Sequence, residues 1–351
     1  SIIWINLINW LPIFLYFWGF QNYLITNEQK NIFAKYLIGG TFPVIISFIL
    51  QKFFNLYGPF KTLFGLIVWF QKPITESNRA LAGLFSNPNY AAIWLVAVLP
   101  FVIALLNKEK SFNTKKLILF FLTLILIFMI IFTGSRNGLL GIILTIIFFL
   151  GLKRIINIAI SIFVLSSFTN LIGVIFNKDL NIFSTFISFI PNDLINKIIL
   201  TKTFLPRLEI WVSTLRRIIE RPFFGWGPST FPYLHVENNS GFIFLNYEID
   251  AQHSHNIVFE LAHNFGIPLS IIVIITLIIL LLKSWRAIFR EGSLNYSNIN
   301  KAWYTSSFTF FISHLSDITY YDGKLTLLIG ILLAGLKKII DNDKNLNKIY
   351  K

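Results

Sequence analysis

The run Leu117-Ile-Leu-Phe-Phe-Leu-Thr-Leu-Ile-Leu-Ile-Phe-Met-Ile-Ile-Phe-Thr133 holds no charge in seventeen residues, and Gly134-Ser135-Arg136-Asn137-Gly138 follows it at once. A second apolar run opens directly after that turn. A spanning helix needs about 20 predominantly apolar residues, so two runs joined by a five-residue turn read as a membrane hairpin. The rest of the chain repeats the pattern. Of its 351 residues 55% are hydrophobic and 13% charged, against about 25% charged in a soluble domain. The expected fold is an all-α polytopic membrane protein.

Nine spans are read, at about 1–20, 35–51, 89–106, 117–133, 138–152, 155–176, 263–282, 302–317 and 324–336. They group into an N-terminal bundle (1–176), an external loop domain (177–254), C-terminal helices (255–336) and a basic tail (337–351). Lys108, Lys110, Lys115, Lys116, Lys153, Arg154, Lys283, Arg286, Arg290, Lys301, Lys337 and Lys338 fall on one side if the spans alternate. Short loops rich in Lys and Arg face the cytoplasm. The 134–138 turn, the 177–254 loop and the turn after Asp317 then lie outside. The only Met is Met129, and we read the chain as a fragment.

The formal charge of +14 is accounted for by these loops. No basic strip is interleaved with aromatic residues as single-strand binding requires, so nucleic acid is not expected as a partner. With no cysteine, thiolate catalysis and Cys-based zinc sites are excluded. Gly-rich phosphate loops, zincin helices and nucleophile elbows are also lacking.

The residues able to carry chemistry gather on the outer side. Arg136, Arg207, Arg216, Arg217 and Arg221 lie there in a chain that otherwise favours Lys. Planar guanidinium forks suit phosphate, although Arg136 alone reads equally as a snorkelling interfacial cation. Pro206 can open a helix and Pro222 end it. Between them Arg207, Trp211, Thr214, Ile218 and Arg221 share a face, and Arg216 and Arg217 point to different sides. Gly225-Trp226-Gly227-Pro228 makes a tight turn.

Three of the five histidines lie in Asp250–Gly266, where the loop returns to an apolar helix. His255 is the candidate base, since an imidazole titrates near neutral pH. A helix starting at His255 would stack Phe259, Ala262 and Gly266 beneath it, and Asn256 or Asp250 would fix its tautomer. A hydrogen-bonded structural role is the competing reading. His263 lies roughly 12 Å further along a helix, too far to share a metal. His253 and His255 could chelate one on an extended strand, but no third ligand follows. Neither a metal nor another cofactor is therefore expected. His235 reads as a loop residue and His314 as a satisfied packing residue.

These motifs together resemble the bacterial O-antigen ligase/polymerase superfamily. Ser135-Arg136-Asn137-Gly138 is similar to its Ser-Arg-x-Gly turn. Arg207-x3-Trp211 and Pro222-x2-Gly225-x-Gly227 are similar to its external-loop signature. His255-Asn256-x9-Gly266 resembles the start of the ligase signature, which departs here at Leu269 and Ser270, where the family has Gly and Thr. The resemblance covers about residues 85–336. Members have about twelve spans, so about three would precede this chain.

The resemblance implies a metal-independent, inverting glycosyltransferase of the bacterial inner membrane with a periplasmic site. Its donor would be a glycan on a polyprenyl pyrophosphate, and its acceptor, in a ligase, a hydroxyl of lipid A-core. His255 would deprotonate that hydroxyl. Arg136 and Arg207 would hold the pyrophosphate, with Arg217 or Arg221 adding a contact, and Asn256, Trp211 and Gly266 would support the site. A polymerase or a protein glycosyltransferase of the same superfamily would use nearly the same chemistry. An anion transporter is the rival of a different class, and predicts charged or broken helices near the membrane midplane.

Overall fold

The computed structural model describes residues 2–62, 64, 67–69, 73–74, 80–175, 204–236, 252–290, 293 and 296–349. Helices dominate: α1 (Ile2–Tyr23), α2 (Asn27–Phe54), α3 (Pro88–Lys108), α4 (Thr114–Phe132), α5 (Arg136–Leu150), α6 (Leu152–Ile175), α7 (Phe204–Glu220), α8 (Phe231–Val236), α9 (Ile257–Phe265), α10 (Ile267–Phe289), α11 (Asn298–Ser313) and α12 (Gly323–Ile349). One departure from an all-helical reading is a short antiparallel hairpin in the α2–α3 connection. It pairs β1 (Phe60–Thr62) with β2 (Ile67–Trp69).

The chain is a multi-pass membrane protein. Among the described residues four helices are long and apolar enough to cross a membrane, namely α2, α3, α4 and α10. The pair α5–α6 makes a fifth if counted as one bent span; it turns by 108° at Gly151. Among the described residues, length and composition alone thus single out four or five of the nine expected spans. The expected spans 138–152 and 155–176 form that bent pair. Helices α1, α11 and α12 occupy the positions of three others without being among the four. Helix α11 has only 16 residues, and α12 runs on through Lys337, Lys338, Asp341 and Asp343. The residues read as a basic tail therefore continue that helix to Ile349.

Helix α3 is the central post. Its side chains from Tyr90 to Leu105 are almost all buried, under α2, α4, α5 and α11. Small residues permit this packing. A Cβ on Gly141 would collide with Val96, and Ser306 Oγ donates to the Ala97 carbonyl at 2.8 Å. Trp303 is wholly buried and donates to Leu332 O at 2.9 Å, tying α11 to α12. Only 17% of the most apolar stretch of α10 is buried, so that helix turns most of its apolar surface outward, as a lipid-facing span does.

The polar turns collect at one end of this bundle. Asn137 Nδ2 donates to Ser313 O, and Ser316 Oγ donates to Asn137 Oδ1 at 2.7 Å. The 134–138 turn is thereby fastened to the α11–α12 turn. The N-terminus of α3 meets the same turn through Asn89. The bridges Arg290–Asp343 and Lys337–Asp341 belong to the basic segments of the opposite end.

Candidate functional site

His255 stands just before α9 rather than in its first turn. Asn256 is the N-cap, and its Oδ1 accepts from Val258 N at 2.9 Å and Phe259 N at 3.3 Å. Its Nδ2 donates to Leu315 O, and Ile257 N donates to His314 O. The start of α9 is thus bolted to the α11–α12 turn. His255 itself has φ 54°, a left-handed conformation that is uncommon for a residue with a side chain and concentrates at functional sites. The stack of Phe259, Ala262 and Gly266 beneath a helical His255 is therefore replaced by an imidazole aimed by the loop.

That imidazole meets Asp317. His255 Nδ1 lies 3.2 Å from Asp317 Oδ1, and the two side chains are 28% and 1% exposed. Asp317 Oδ1 also accepts from Ile318 N, and Oδ2 accepts from Asn89 Nδ2 at 2.8 Å. Burial alone would raise the carboxyl's pKa. The His255 hydrogen bond, the nearby imidazoles and Arg207 outweigh it and hold the pKa below the usual range. An ionised carboxylate only accepts, so Nδ1 carries the proton and the lone pair sits at Nε2. Asp317 therefore takes the tautomer-fixing role expected of Asn256 or Asp250. Asn256 is committed to capping, and Asp250 lies outside the described residues.

The loop that aims His255 is held from three sides. Trp211 Nε1 donates to Ser254 O at 3.0 Å, and its ring meets Phe259 edge-on. Ser254 N donates to Glu260 Oε2 at 2.9 Å. Glu260 is fully buried, and its other oxygen accepts from Tyr321 Oη at 2.6 Å and Asn264 Nδ2. Burial and the Glu260 charge raise the Tyr321 phenol, so it remains a donor. Tyr321 also stacks on His253. Burial and the neighbouring His255 lower His253 to about 4. It stays neutral at pH 7, and its Nδ1 accepts from the main-chain N–H of His255.

Arg207 sits one helical turn before Trp211 and is half-buried. Burial lowers its pKa, the Asp317 carboxylate opposes that, and Arg136 reinforces it. These mutual effects put Arg136, Arg207 and Asp317 in one electrostatic neighbourhood. The structure thus brings together Arg136, Arg207, His255 and Asp317, drawn from α5, α7, the loop before α9 and the turn after α11.

Arg217 and Arg221 go elsewhere. Arg217 bonds to Glu220 Oε2 at 3.0 Å and to Leu234 O. Arg221 lies over the Trp226 ring, 4.1 Å from its centroid. The Trp226 turn crosses the C-terminal end of α9 backbone to backbone. Trp226 N donates to His263 O, Gly227 N to Asn264 O, and Ile267 N to Pro222 O. Gly225 (φ 67°) and Gly266 (φ 88°) adopt left-handed backbone. A Cβ on either would strike the facing main chain, at His263 O and Phe223 O respectively. This crossing explains why two glycine motifs forty residues apart occur together.

His263 and His314 make packing contacts. His263 is buried, with Nδ1 near Asn264 Oδ1 and its ring against Phe231. His314 Nδ1 lies 2.8 Å from Phe310 O and its Nε2 3.0 Å from Thr319 Oγ1, as expected of a satisfied packing residue.

A third ligand for a metal does exist. His253, His255 and Asp317 each offer one atom, all within 4.8 Å of one another. The sequence hid this because Asp317 is sixty-two residues beyond His255. A cation there would compete with the His255 and Asn89 hydrogen bonds to the carboxylate. It would also feel the charge of Arg207, which acts on both His253 and Asp317.

With this geometry in place, residues 121–274 match a family model described as O-antigen ligase. The chain is similar to that family over this stretch, which is less than half of its length. The match takes in Arg136, Arg207, Trp211, His255, Asn256 and Gly266. It ends before Asp317, which meets the matched stretch only through folding. No curated protein matches the chain.

Proposed function

We propose that the protein transfers a glycan from a polyprenyl pyrophosphate to an acceptor hydroxyl, at the periplasmic face of a bacterial inner membrane. The observation that carries this reading is the His255–Asp317 pair beside Arg207. His255 Nε2 takes the proton of the acceptor hydroxyl as its oxygen attacks the anomeric carbon. The bond from that carbon to the pyrophosphate oxygen breaks, and the electron pair leaves with the pyrophosphate. Attack opposite the leaving group inverts the centre. Asp317 keeps Nε2 free and stabilises the imidazolium that forms. Arg136 and Arg207 bind the pyrophosphate and offset the charge growing on it, the kind of preorganised stabilisation that dominates many enzymes. No step requires a metal.

The acceptor we favour is a hydroxyl of lipid A-core, which makes the reaction a ligation. The second reading is a polymerase extending another lipid-linked glycan. The replacement of the family's second Gly and Thr by Leu269 and Ser270 favours keeping it, and Ser270 Oγ here donates to Val258 O at 3.1 Å, a structural contact. Reconstitution with a lipid-pyrophosphate glycan and candidate acceptors tests both. Product on lipid A-core supports ligation, and longer lipid-linked chains support polymerisation. Transfer to neither, nor to protein, would remove the glycosyltransferase reading.

A further inference from the structure

Helix α7 carries a second apolar strip that the site does not use. Its buried face is Ile210, Thr214 and Ile218, directed at the site elements. On an adjacent face Leu215 and Ile219 are 42% and 74% exposed, and the following turn presents Phe223 and Phe224 at 70% and 90%. Leu215, Ile219 and Phe223 succeed one another at i, i+4 spacing, so the strip runs along the helix into the turn. Four large apolar residues contiguous in this way are a surface that seeks a partner.

The fold supplies that partner's position. Pro222 O accepts from Ile267 N at 2.7 Å, and the Phe223 carbonyl abuts Gly266. Gly266 caps α10, whose first turns expose Leu269, Ile271 and Ile272 at 44%, 51% and 61%. Of the four span-length apolar helices, this is the one with the smallest buried share. The strip on α7 is therefore fixed by main-chain contacts at the mouth of a lipid-facing span, and its apolar surface continues that span's. Arg216 and Arg221 are exposed beside it, while Glu220 is paired with Arg217. An apolar strip flanked by guanidinium groups suits the boundary between acyl chains and phosphate headgroups.

We propose that Leu215, Ile219, Phe223 and Phe224 insert into the phospholipid leaflet on the side of the His255 site, with Arg216 and Arg221 at the headgroup level. The helix carrying Arg207 and Trp211 is thereby anchored at a fixed depth, whatever acceptor the site uses. The occupant is bulk phospholipid, not the substrate's own chain or a protein.

The absence of cysteine makes the test free of background. Ile219→Cys, Phe224→Cys and, as an aqueous reference, Glu220→Cys are made in the full chain and labelled with a nitroxide. Each is reconstituted into phosphatidylethanolamine/phosphatidylglycerol vesicles without donor or acceptor. Collisions with oxygen and with a water-soluble nickel chelate are then compared. The expected result is oxygen contact exceeding nickel contact at 219 and 224, the reverse at 220, and a depth shallower than that of a label at Ile275→Cys in α10. Nickel contact dominating at both 219 and 224 overturns the proposal. So does low contact with both reagents, which means that protein covers the strip. Concentration-dependent spin broadening would identify that protein as a second copy. Should one labelled variant fail to fold, the other decides alone, since both positions are exposed and separately placed.

Discussion

His255 Nδ1 and Asp317 Oδ1 stand 3.2 Å apart, although 62 residues separate them. An imidazole whose Nδ1–H is given to a buried carboxylate has one basic position left. Asp317→Asn should therefore lower kcat by roughly 10²- to 10⁴-fold, the range for losing a positioned acid–base group or its correct tautomer. Donor KM should change little. His255→Ala should lose transfer at least as fully while still binding donor. Single-turnover kinetics in reconstituted vesicles would check both. A kcat for Asp317→Asn within a few-fold of the parent would refute the orienting role.

How far the sequence exposes this site depends on whether a signal is local. Trp211 and Gly266 sit in short motifs, and each has a local duty: Trp211 holds the Ser254 carbonyl, and Gly266 admits the Phe223 carbonyl. Asp317 has no such motif. It follows a polar turn at the end of an apolar helix, and only the packing of α9 against that turn reveals its partner. Glu260 had a readable signal that went unused, since a carboxylate inside Ile257–Phe265 must find donors when buried. It finds three. Not every expected span stands out by length and composition among the described residues, because apolar runs do not show bends or polar packing. Gly151 breaks the α5–α6 pair, and α11 buries Thr305, Ser306 and Ser307 inside the bundle.

The same crossing of main chains predicts an asymmetry among glycines. Gly266→Ala introduces a methyl group against the Phe223 carbonyl and also holds alanine at φ 88°. Gly227→Ala meets only Thr230, at 3.9 Å, and bears the backbone strain alone. Left-handed strain costs about 1–3 kcal/mol. Gly227→Ala should stay within that range, and Gly266→Ala should exceed it through the added steric overlap. Thermal unfolding in detergent would rank them. Equal losses would mean that the Pro222–Gly227 turn does not cross α9 as closely as described.

His253 should make the folded state sensitive to mild acid. Its pKa falls to about 4, against about 6.5 when unfolded. Above pH 6.5 both states are neutral, and the group contributes no pH dependence. Between about 6.5 and 4 the unfolded chain binds the proton and the folded chain does not, so stability falls as pH falls. The loss is about 3 kcal/mol at its fullest, from about 1.4 kcal/mol per pKa unit. Asp317, with its lowered pKa, adds a loss of the same sign at lower pH. The two are separated by His253→Gln, whose amide oxygen can still accept the His255 N–H. Tm measured from pH 7 to 4.5 should fall less steeply in that variant. An unchanged slope would assign the acid sensitivity to other groups.

The His253, His255 and Asp317 constellation sets a direct test of metal independence. With the Arg207 charge and three hydrogen bonds bearing on the carboxylate, transfer should survive dialysis against a strong chelator with less than a twofold change. Added Zn²⁺ should inhibit by capturing the imidazole lone pairs. Activity lost to the chelator and restored by one divalent ion would instead make the three residues metal ligands, and His255 could then no longer serve as the free base.

The arginines should divide into two classes. Arg207 shares the electrostatic neighbourhood of Arg136 and Asp317, whereas Arg221 lies over the Trp226 ring, away from that group. A charge-assisted hydrogen bond contributes about 1.5–3 kcal/mol. Arg136→Ala and Arg207→Ala should therefore each lower kcat/KM for the donor by roughly 10- to 100-fold, a tenfold change being about 1.4 kcal/mol. Truncating the donor from pyrophosphate to monophosphate should shrink that penalty, because less charge remains to be lost. Arg221→Ala forfeits a cation–π contact of about 0.5–1 kcal/mol, so it should lower Tm slightly and leave donor kinetics within about twofold. A donor KM that rises in Arg221→Ala as much as in Arg207→Ala would extend the phosphate site to the Trp226 turn. The assignment of Arg136 and Arg207 as its principal ligands would then fail.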